Sequence, residues 1–367
     1  MPLYLNEDQV MLRDSARGFM AGEGAIGRQL RRLRDAGDVD GFDRGLWKQF
    51  AEMGFTGILA AEADGGLGLG HVEAGIVLEE IGRNLTPSPF LTSAVAVVEA
   101  LRGAGDEVRG RWLPGIIAGD TIAALAVDEG AKHRPHDIAM VAERAGNGYT
   151  LTGEKSFVVH GAAADLIVVA ARTAEGNALF AVERGADGLS VESARLADGS
   201  MAARMRFENV LADGPIGDEQ ALRRVLRAAR VGAASELVGV GGAAAEQTVA
   251  YLKERKQFGR AIGEYQALQH RQAHLYCELE IARAATLKAQ QMLDEDAEDA
   301  AAMSHVAKAK AGRASTLAVQ EGVQMYGGVG MTDEYDIGLY MKRDRALNEL
   351  FGDANYHADR LARMKGY

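Results

Sequence analysis

The chain has 367 residues, 47% hydrophobic and 25% charged, enough apolar material for a large core spread over two or three domains. Its formal net charge of −11 argues against a nucleic-acid binder, whose affinity comes mainly from basic patches. With Cys277 as the only cysteine, an intrachain disulfide and a thiolate metal cluster are both excluded, which fits a reducing cytoplasm.

The start, Met1-Pro-Leu-Tyr-Leu-Asn-Glu-Asp8, lacks the basic-then-apolar order of a signal peptide. No apolar run approaches the roughly 18 residues of a membrane span. The expectation is a cytoplasmic protein with no membrane partner.

Residues 1–118 read as helices with glycine-rich breaks. Asn6-Glu-Asp-Gln9 is a helix start, after which Val10, Leu12, Phe19 and Met20 fall loosely on one face. Leu46, Trp47, Phe50 and Met53 repeat at helical spacing before Gly54. The pattern continues from Val72 to Ile81, and Gly82, Pro87 and Pro89 are expected to end it. Gly65-Gly-Leu-Gly-Leu-Gly70 invites a dinucleotide reading, but that fingerprint needs a strand in front of it, and a helical zone stands there instead.

Residues 119–215 change character. Short apolar and β-branched runs lie at Thr121–Val127, Tyr149–Val159, Asp165–Ala171, Ala178–Val182, Leu189–Val191 and Met201–Phe207. Gly146-Asn147-Gly148 suits a hairpin turn, since both residue types accept positive φ at low cost. Six strands with glycine-rich joints predict a small antiparallel barrel or sandwich.

From 216 to 367 the chain is helical again. Tyr265, Leu268, Gln272, Leu275, Leu279 and Ala282 recur at the spacing of a bundle helix. His270 and His274 lie one helical turn apart without a third ligand, and His133 and His136 stand in a loop-like stretch; none is taken as a metal site.

The most specific signals are two strings in this last zone. One is Tyr251-Leu-Lys-Glu-Arg-Lys-Gln-Phe-Gly259, with Gly263-Glu-Tyr-Gln266 behind it. The other is Gln324-Met-Tyr-Gly-Gly-Val-Gly330, followed by Glu334-Tyr335 and Lys342-Arg-Asp344. A guanidinium beside an aromatic ring suits a diphosphate, and glycines let backbone approach a cofactor closely. Together the strings resemble the acyl-CoA dehydrogenase family, whose FAD enzymes oxidise the Cα–Cβ bond of acyl-CoA thioesters.

The resemblance implies an α+β fold: an N-terminal helical domain, a central β-domain and a C-terminal four-helix bundle. It implies that Arg255, Gln257, Phe258 and Gln266, with Gln324, Gly327 and Gly328, contact FAD across a subunit interface. A homodimer or homotetramer follows from that, with acyl-CoA as substrate and an electron-transferring flavoprotein as acceptor. The glycine-rich loop at 65–70 is similar to a structural loop common in the family.

The chain departs from the family at the catalytic base. Aligning Arg343-Asp344 with the family pattern puts Phe351 on its aromatic residue and Gly352 on its glutamate. Members that carry the base on an earlier helix place it just before an arginine; Arg230 matches that arginine, and Ala229 stands where the base would be. Two readings follow. Asp353, one residue further on, serves as base, with Arg230 ordering it or the acyl pocket. Alternatively, the chain is a non-catalytic or low-activity subunit whose homologous partner completes the site in a heterotetramer. The stretch Val127-Asp-Glu-Gly-Ala-Lys-His-Arg-Pro-His-Asp137 also departs from the family string beside the flavin. Phe157-Val158-Val159 keeps the flavin-side aromatic, Phe157, but not the hydroxyl. The string Gly153-Glu-Lys-Ser-Phe-Val-Val159 and the ending Leu350-Phe-Gly-Asp-Ala-Asn-Tyr-His357 resemble divergent members such as the small subunit of pimeloyl-CoA dehydrogenase.

Overall fold

The computed structural model describes residues 3–367. In chain order the helices begin with α1 (Glu7–Gly22), α2 (Arg32–Ala36), α3 (Arg44–Glu52), α4 (His71–Asn84), α5 (Val98–Arg102) and α6 (Asp106–Ile117). A π-helical run, Phe90–Val97, leads directly into α5. Eight strands follow: β1 (Ala123–Ala126), β2 (Val141–Ala145), β3 (Gly148–Val159), β4 (Leu166–Thr173), β5 (Gly176–Glu183), β6 (Leu189–Arg195), β7 (Met201–Ala212) and β8 (Pro215–Gly217). Then come α7 (Glu219–Glu254), a short hairpin of β9 (Lys256–Gln257) and β10 (Arg260–Ala261), α8 (Gln266–Asp294), α9 (Ala300–Tyr326), α10 (Ile337–Glu349) and α11 (Ala354–Met364).

Local chemistry explains the boundaries. Asn6 closes a capping box with Gln9 at the start of α1, each side chain accepting from the other's backbone N–H. Asp43 caps α3, which ends before Gly54 at φ +78. The glycine-rich segment 65–70 is a loop behind a 3₁₀ turn at Glu62–Asp64, with Gly65 and Gly68 at positive φ and no strand before it.

Compactness divides the chain into two units. One comprises residues up to Ile26, Gly75–Thr86 and Arg230–Tyr367; the other comprises Gly27–Ala74 and Pro87–Ala229. In the first unit α8 packs along α9, and α4 meets α7 at unusually close range. A Cβ on Gly82 would lie 2.2 Å from the carbonyl oxygen of Glu236, and one on Gly239 would lie 2.0 Å from that of Glu79. Gly82 therefore does not end α4, as the sequence suggested; the helix runs on to Asn84, and glycine is needed there for packing.

In the second unit the sheet order is β6-β7-β3-β2-β4-β5-β8, with β1 alongside β4. Its pairs are antiparallel except that β1 and β2 both run parallel to β4. The turn Gly146-Asn147 joins β2 to β3, with Ala145 opposite Gly148. Ser93 ties the π-helical run to β1: its hydroxyl donates to the Ala123 carbonyl and accepts from the Ala123 N–H. No described helix is long and apolar enough to cross a membrane.

Candidate functional site

The hairpin after α7 carries Arg255, Gln257 and Phe258. Gln257 pairs with Arg260, so Phe258 and Gly259 form the two-residue turn, both at positive φ (+54 and +84). Two central residues with positive φ make a type I′ turn, where Asn-Gly is the relaxed choice. A bulky phenylalanine in this conformation is strained by about 1–3 kcal/mol. It is also 88% exposed, so the chain presents an apolar ring outward at a cost in stability. Tyr265 braces the tip: its hydroxyl donates to the Phe258 carbonyl, and its ring lies 4.0 Å beneath the Arg260 guanidinium.

The second string is brought to the same end of the unit. Tyr251, one turn before Arg255, stacks on Tyr326 with ring centroids 4.1 Å apart, and Tyr335 meets both rings edge-on. The Tyr251 hydroxyl also donates to the Tyr326 carbonyl. This tyrosine cluster sets the base of the hairpin against the turn that begins at Gly327. Gln272 donates to Met325 Sδ, and Arg271 pairs with Glu321, fixing the start of α8 to the end of α9. Gln266, Gln324, Gly327 and Gly328 are exposed, and a Cβ on either glycine would meet nothing within 4 Å. An open cradle of small residues beside a guanidinium and a ring fits a diphosphate-bearing cofactor.

Phe157 lies in the other unit, at a bulge of β3 between the pairs Lys155↔Met205 and Val158↔Ala203. Its φ is +54 and it is 53% exposed, at the mouth of a cavity of ≈ 410 Å³ lined also by Glu129, Gly130, Glu192 and Arg204. Beneath it, the fully buried Lys155 donates to the Val127 carbonyl and the Glu129 carboxylate. Burial opposes ionisation of Glu129, but Lys155 and the N–H groups of Ala139 and Met140 hold its carboxyl below the usual range. Within the divergent stretch 127–137, His133 bonds Asp128 at 2.8 Å.

Asp353 is half-buried and is the N-cap of α11, its Oδ1 accepting from the Tyr356 N–H at 2.7 Å. Arg230 is buried in the same unit, its guanidinium directed at Ser304 Oγ (3.3 Å) and His305 Nε2 (3.4 Å). Between α10 and α11, Phe351 and Gly352 both have positive φ (+59 and +100). Three carbonyls of this region, on Leu347, Asn348 and Gly352, accept from the Nζ of Lys308. Burial drives the Lys308 ammonium down to about 7, with Asp344 and Asp353 pulling the other way. The Arg343-Asp344 pair is structural. Arg343 binds the buried Glu236, and Asp344 accepts from Thr316 and Asn348.

Sequence reasoning missed Lys308, His305 and His357. The trace of His305 and Lys308 is polarity on an α9 stripe otherwise filled by Ala307, Ala311, Ala314 and Ala318, while His357 lies on α11.

Fold and site define a flavin-dependent oxidoreductase with helical, sheet and helical domains. Three family models match in succession: the acyl-CoA dehydrogenase N-terminal domain at residues 6–120, its middle domain at 125–210 and its C-terminal domain at 217–365. The chain belongs to the acyl-CoA dehydrogenase family, and FAD is its cofactor. It is 32% identical over 321 residues to the acyl-CoA dehydrogenase FadE12 of Mycobacterium tuberculosis, covering 82% of each chain. It is 29% identical over 368 residues to the mitochondrial isovaleryl-CoA dehydrogenase of Pongo abelii, covering 94% of this chain and 85% of that one. Among solved structures, a variant of the Tcur3481-Tcur3483 steroid ACAD matches with TM-score 0.92 and 29% identity over 98% of both chains. The ChsE4-ChsE5 complex of Mycobacterium tuberculosis shares the fold, with TM-score 0.93 at 24% identity over the whole of both chains.

Proposed function

We propose that the chain dehydrogenates an acyl-CoA thioester at its Cα–Cβ bond to the enoyl-CoA, with Asp353 taking the α-proton. The observation that carries this reading is the joint exposure of Arg255, Gln257 and Phe258 beside Gln324, Gly327 and Gly328. A surface kept open at the expense of a strained phenylalanine is built to bind something. FAD, when bound, supplies the hydride acceptor. Together with Gln266, these residues would hold the FAD of a neighbouring subunit, while Phe157 would flank the flavin of its own. The assembly is then a dimer or a dimer of dimers. By analogy with the family, an electron-transferring flavoprotein takes the electrons, and the cytoplasm is the compartment.

Asp353 follows by one residue the position that the resemblance gives to the family glutamate, and it caps α11. A general base contributes ~10²–10⁴ in rate, too much for an efficient dehydrogenase to forgo. Asp353→Asn is therefore expected to abolish acyl-CoA-dependent bleaching of the flavin while FAD stays bound. Turnover at the wild-type rate in that variant removes Asp353 from the chemistry.

Two observations favour a second reading. The Asp353 carboxylate already serves as a helix cap, and two similar structures carry two-component names. On this reading the chain is a subunit that completes the site of a homologous partner. The wild-type chain purified alone would then bind FAD yet leave it oxidised with every acyl-CoA offered.

A further inference from the structure

Arg230, His305 and His357 form a buried series. Arg230 reaches His305 Nε2 at 3.4 Å, and His305 Nδ1 lies 2.8 Å from His357 Nδ1. All three are nearly or fully shielded from solvent, at 5%, 6% and 0% exposure.

Proton counting gives this series a direction. A guanidinium has only N–H groups, so His305 Nε2 must accept. A neutral His305 then carries its proton on Nδ1 and donates to His357 Nδ1, which leaves the His357 proton on Nε2. The reverse order would set an Nε2–H of His305 against an N–H of Arg230. Protonating either ring creates the same kind of donor–donor clash, next to the cationic Arg230.

The far end of the series lies under the loop at issue. A Cβ on Gly352 would come within 3.1 Å of His357 Nε2 and 2.5 Å of Tyr356 Cδ1, so the imidazole and the tyrosine ring occupy the space where a side chain at 352 would begin. The His357 N–H donates to the Asp353 carbonyl at 3.1 Å, and Lys308 holds the Gly352 carbonyl.

We propose that Arg230 is a positioning residue acting through a tautomer relay: it fixes His305, His305 fixes His357, and His357 seats the Gly352–Asp353 step. The effect on catalysis rests on the reading that Asp353 is the base; the relay itself does not. It gives the arginine a task that requires no contact with substrate. It also rules out His357 as an alternative base, because its Nδ1 accepts from His305 and its Nε2, on the Gly352 side, carries the proton.

The test is nitrogen NMR of the FAD-loaded chain with ¹⁵N-labelled histidine. In the wild type, His305 should be protonated on Nδ1 alone and His357 on Nε2 alone. Arg230→Met keeps the length and removes the donors; both orders of the pair should then be populated, and kcat should fall about 10²-fold, as a loop displacement of an ångström would cause. A wild-type spectrum with His357 protonated on Nδ1, or with an imidazolium, overturns the relay. So does an unchanged pattern in Arg230→Met. If that variant does not fold, the wild-type spectrum decides alone. An intact relay in a chain whose Asp353→Asn form still turns over would discard the base and keep the relay.

Discussion

At the scale of single residues, the site is marked by groups held where they are least comfortable. Phe258 stands in a left-handed turn and in solvent, two penalties that an asparagine would avoid. Phe258→Asn is expected to leave the apo chain as stable or about 1 kcal/mol more stable, while weakening FAD retention. Thermal unfolding without cofactor and an FAD titration measure the two halves, and unaltered FAD affinity would show that the ring is not a cofactor contact. Lys308 is uncomfortable in a different way. Its folded value of about 7 lies below the ordinary 10.5, so between these limits the unfolded chain binds more protons than the folded one. Lys308 thus lowers stability most at and below pH 7, and this penalty fades as pH rises towards 10.5. Asp344, Asp353 and Glu349 attract the ammonium and Arg230 repels it, but desolvation outweighs them. In Lys308→Met the difference in unfolding free energy from wild type should therefore drift in favour of wild type from pH 7 to pH 9. Urea titrations across that range check the slope, and a flat difference means the ammonium is not desolvated.

At the scale of elements, legibility followed periodicity and turn chemistry. Strands with dense apolar character, such as β4 with its run Leu166–Ala171, and the Gly146-Asn147 turn could be read directly. β2 was missed because Val141-Ala-Glu-Arg-Ala145 is short and half polar, and its partners lie on both sides of it in the sheet. β8 is three residues long and begins with proline, too little for any pattern. The extent of α4 was misjudged for another reason: glycine inside a helix signals a break locally, yet here it answers a contact with α7 far along the chain. That contact makes a prediction. Gly239→Ala places a methyl 2.0 Å from the Glu79 carbonyl oxygen, so α4 must shift away from α7. Overpacking of this kind costs about 1–3 kcal/mol. A lowered melting temperature with unchanged helix content is the expected result, and a neutral substitution would mean that the two helices approach less closely than described. The relay was illegible for the same reason as the glycine contact. Positions 230, 305 and 357 share no spacing, and only the packing of α7, α9 and α11 makes them neighbours.

At the scale of the whole molecule, the two strings at 251–266 and 324–330 were readable as a pair because their residue types, order and spacing resemble those of the family. On the proposed reading the two strings hold the FAD of a neighbouring subunit. If each FAD lies between two subunits, Arg255 serves the neighbour's site and Asp353 serves its own. Loss of either should then inactivate a homomer: Arg255→Ala by weakening FAD, Asp353→Ala by removing the base. Mixed and reassembled, the two inactive variants form hybrids with unequal sites. One site carries both defects, while the other combines the intact Asp353 of the first variant with the intact Arg255 of the second. Partial turnover should therefore return on mixing, in proportion to the fraction of hybrids counted by native mass spectrometry. Were both residues to act on one cofactor within one chain, every hybrid site would carry a defect and mixing would restore nothing.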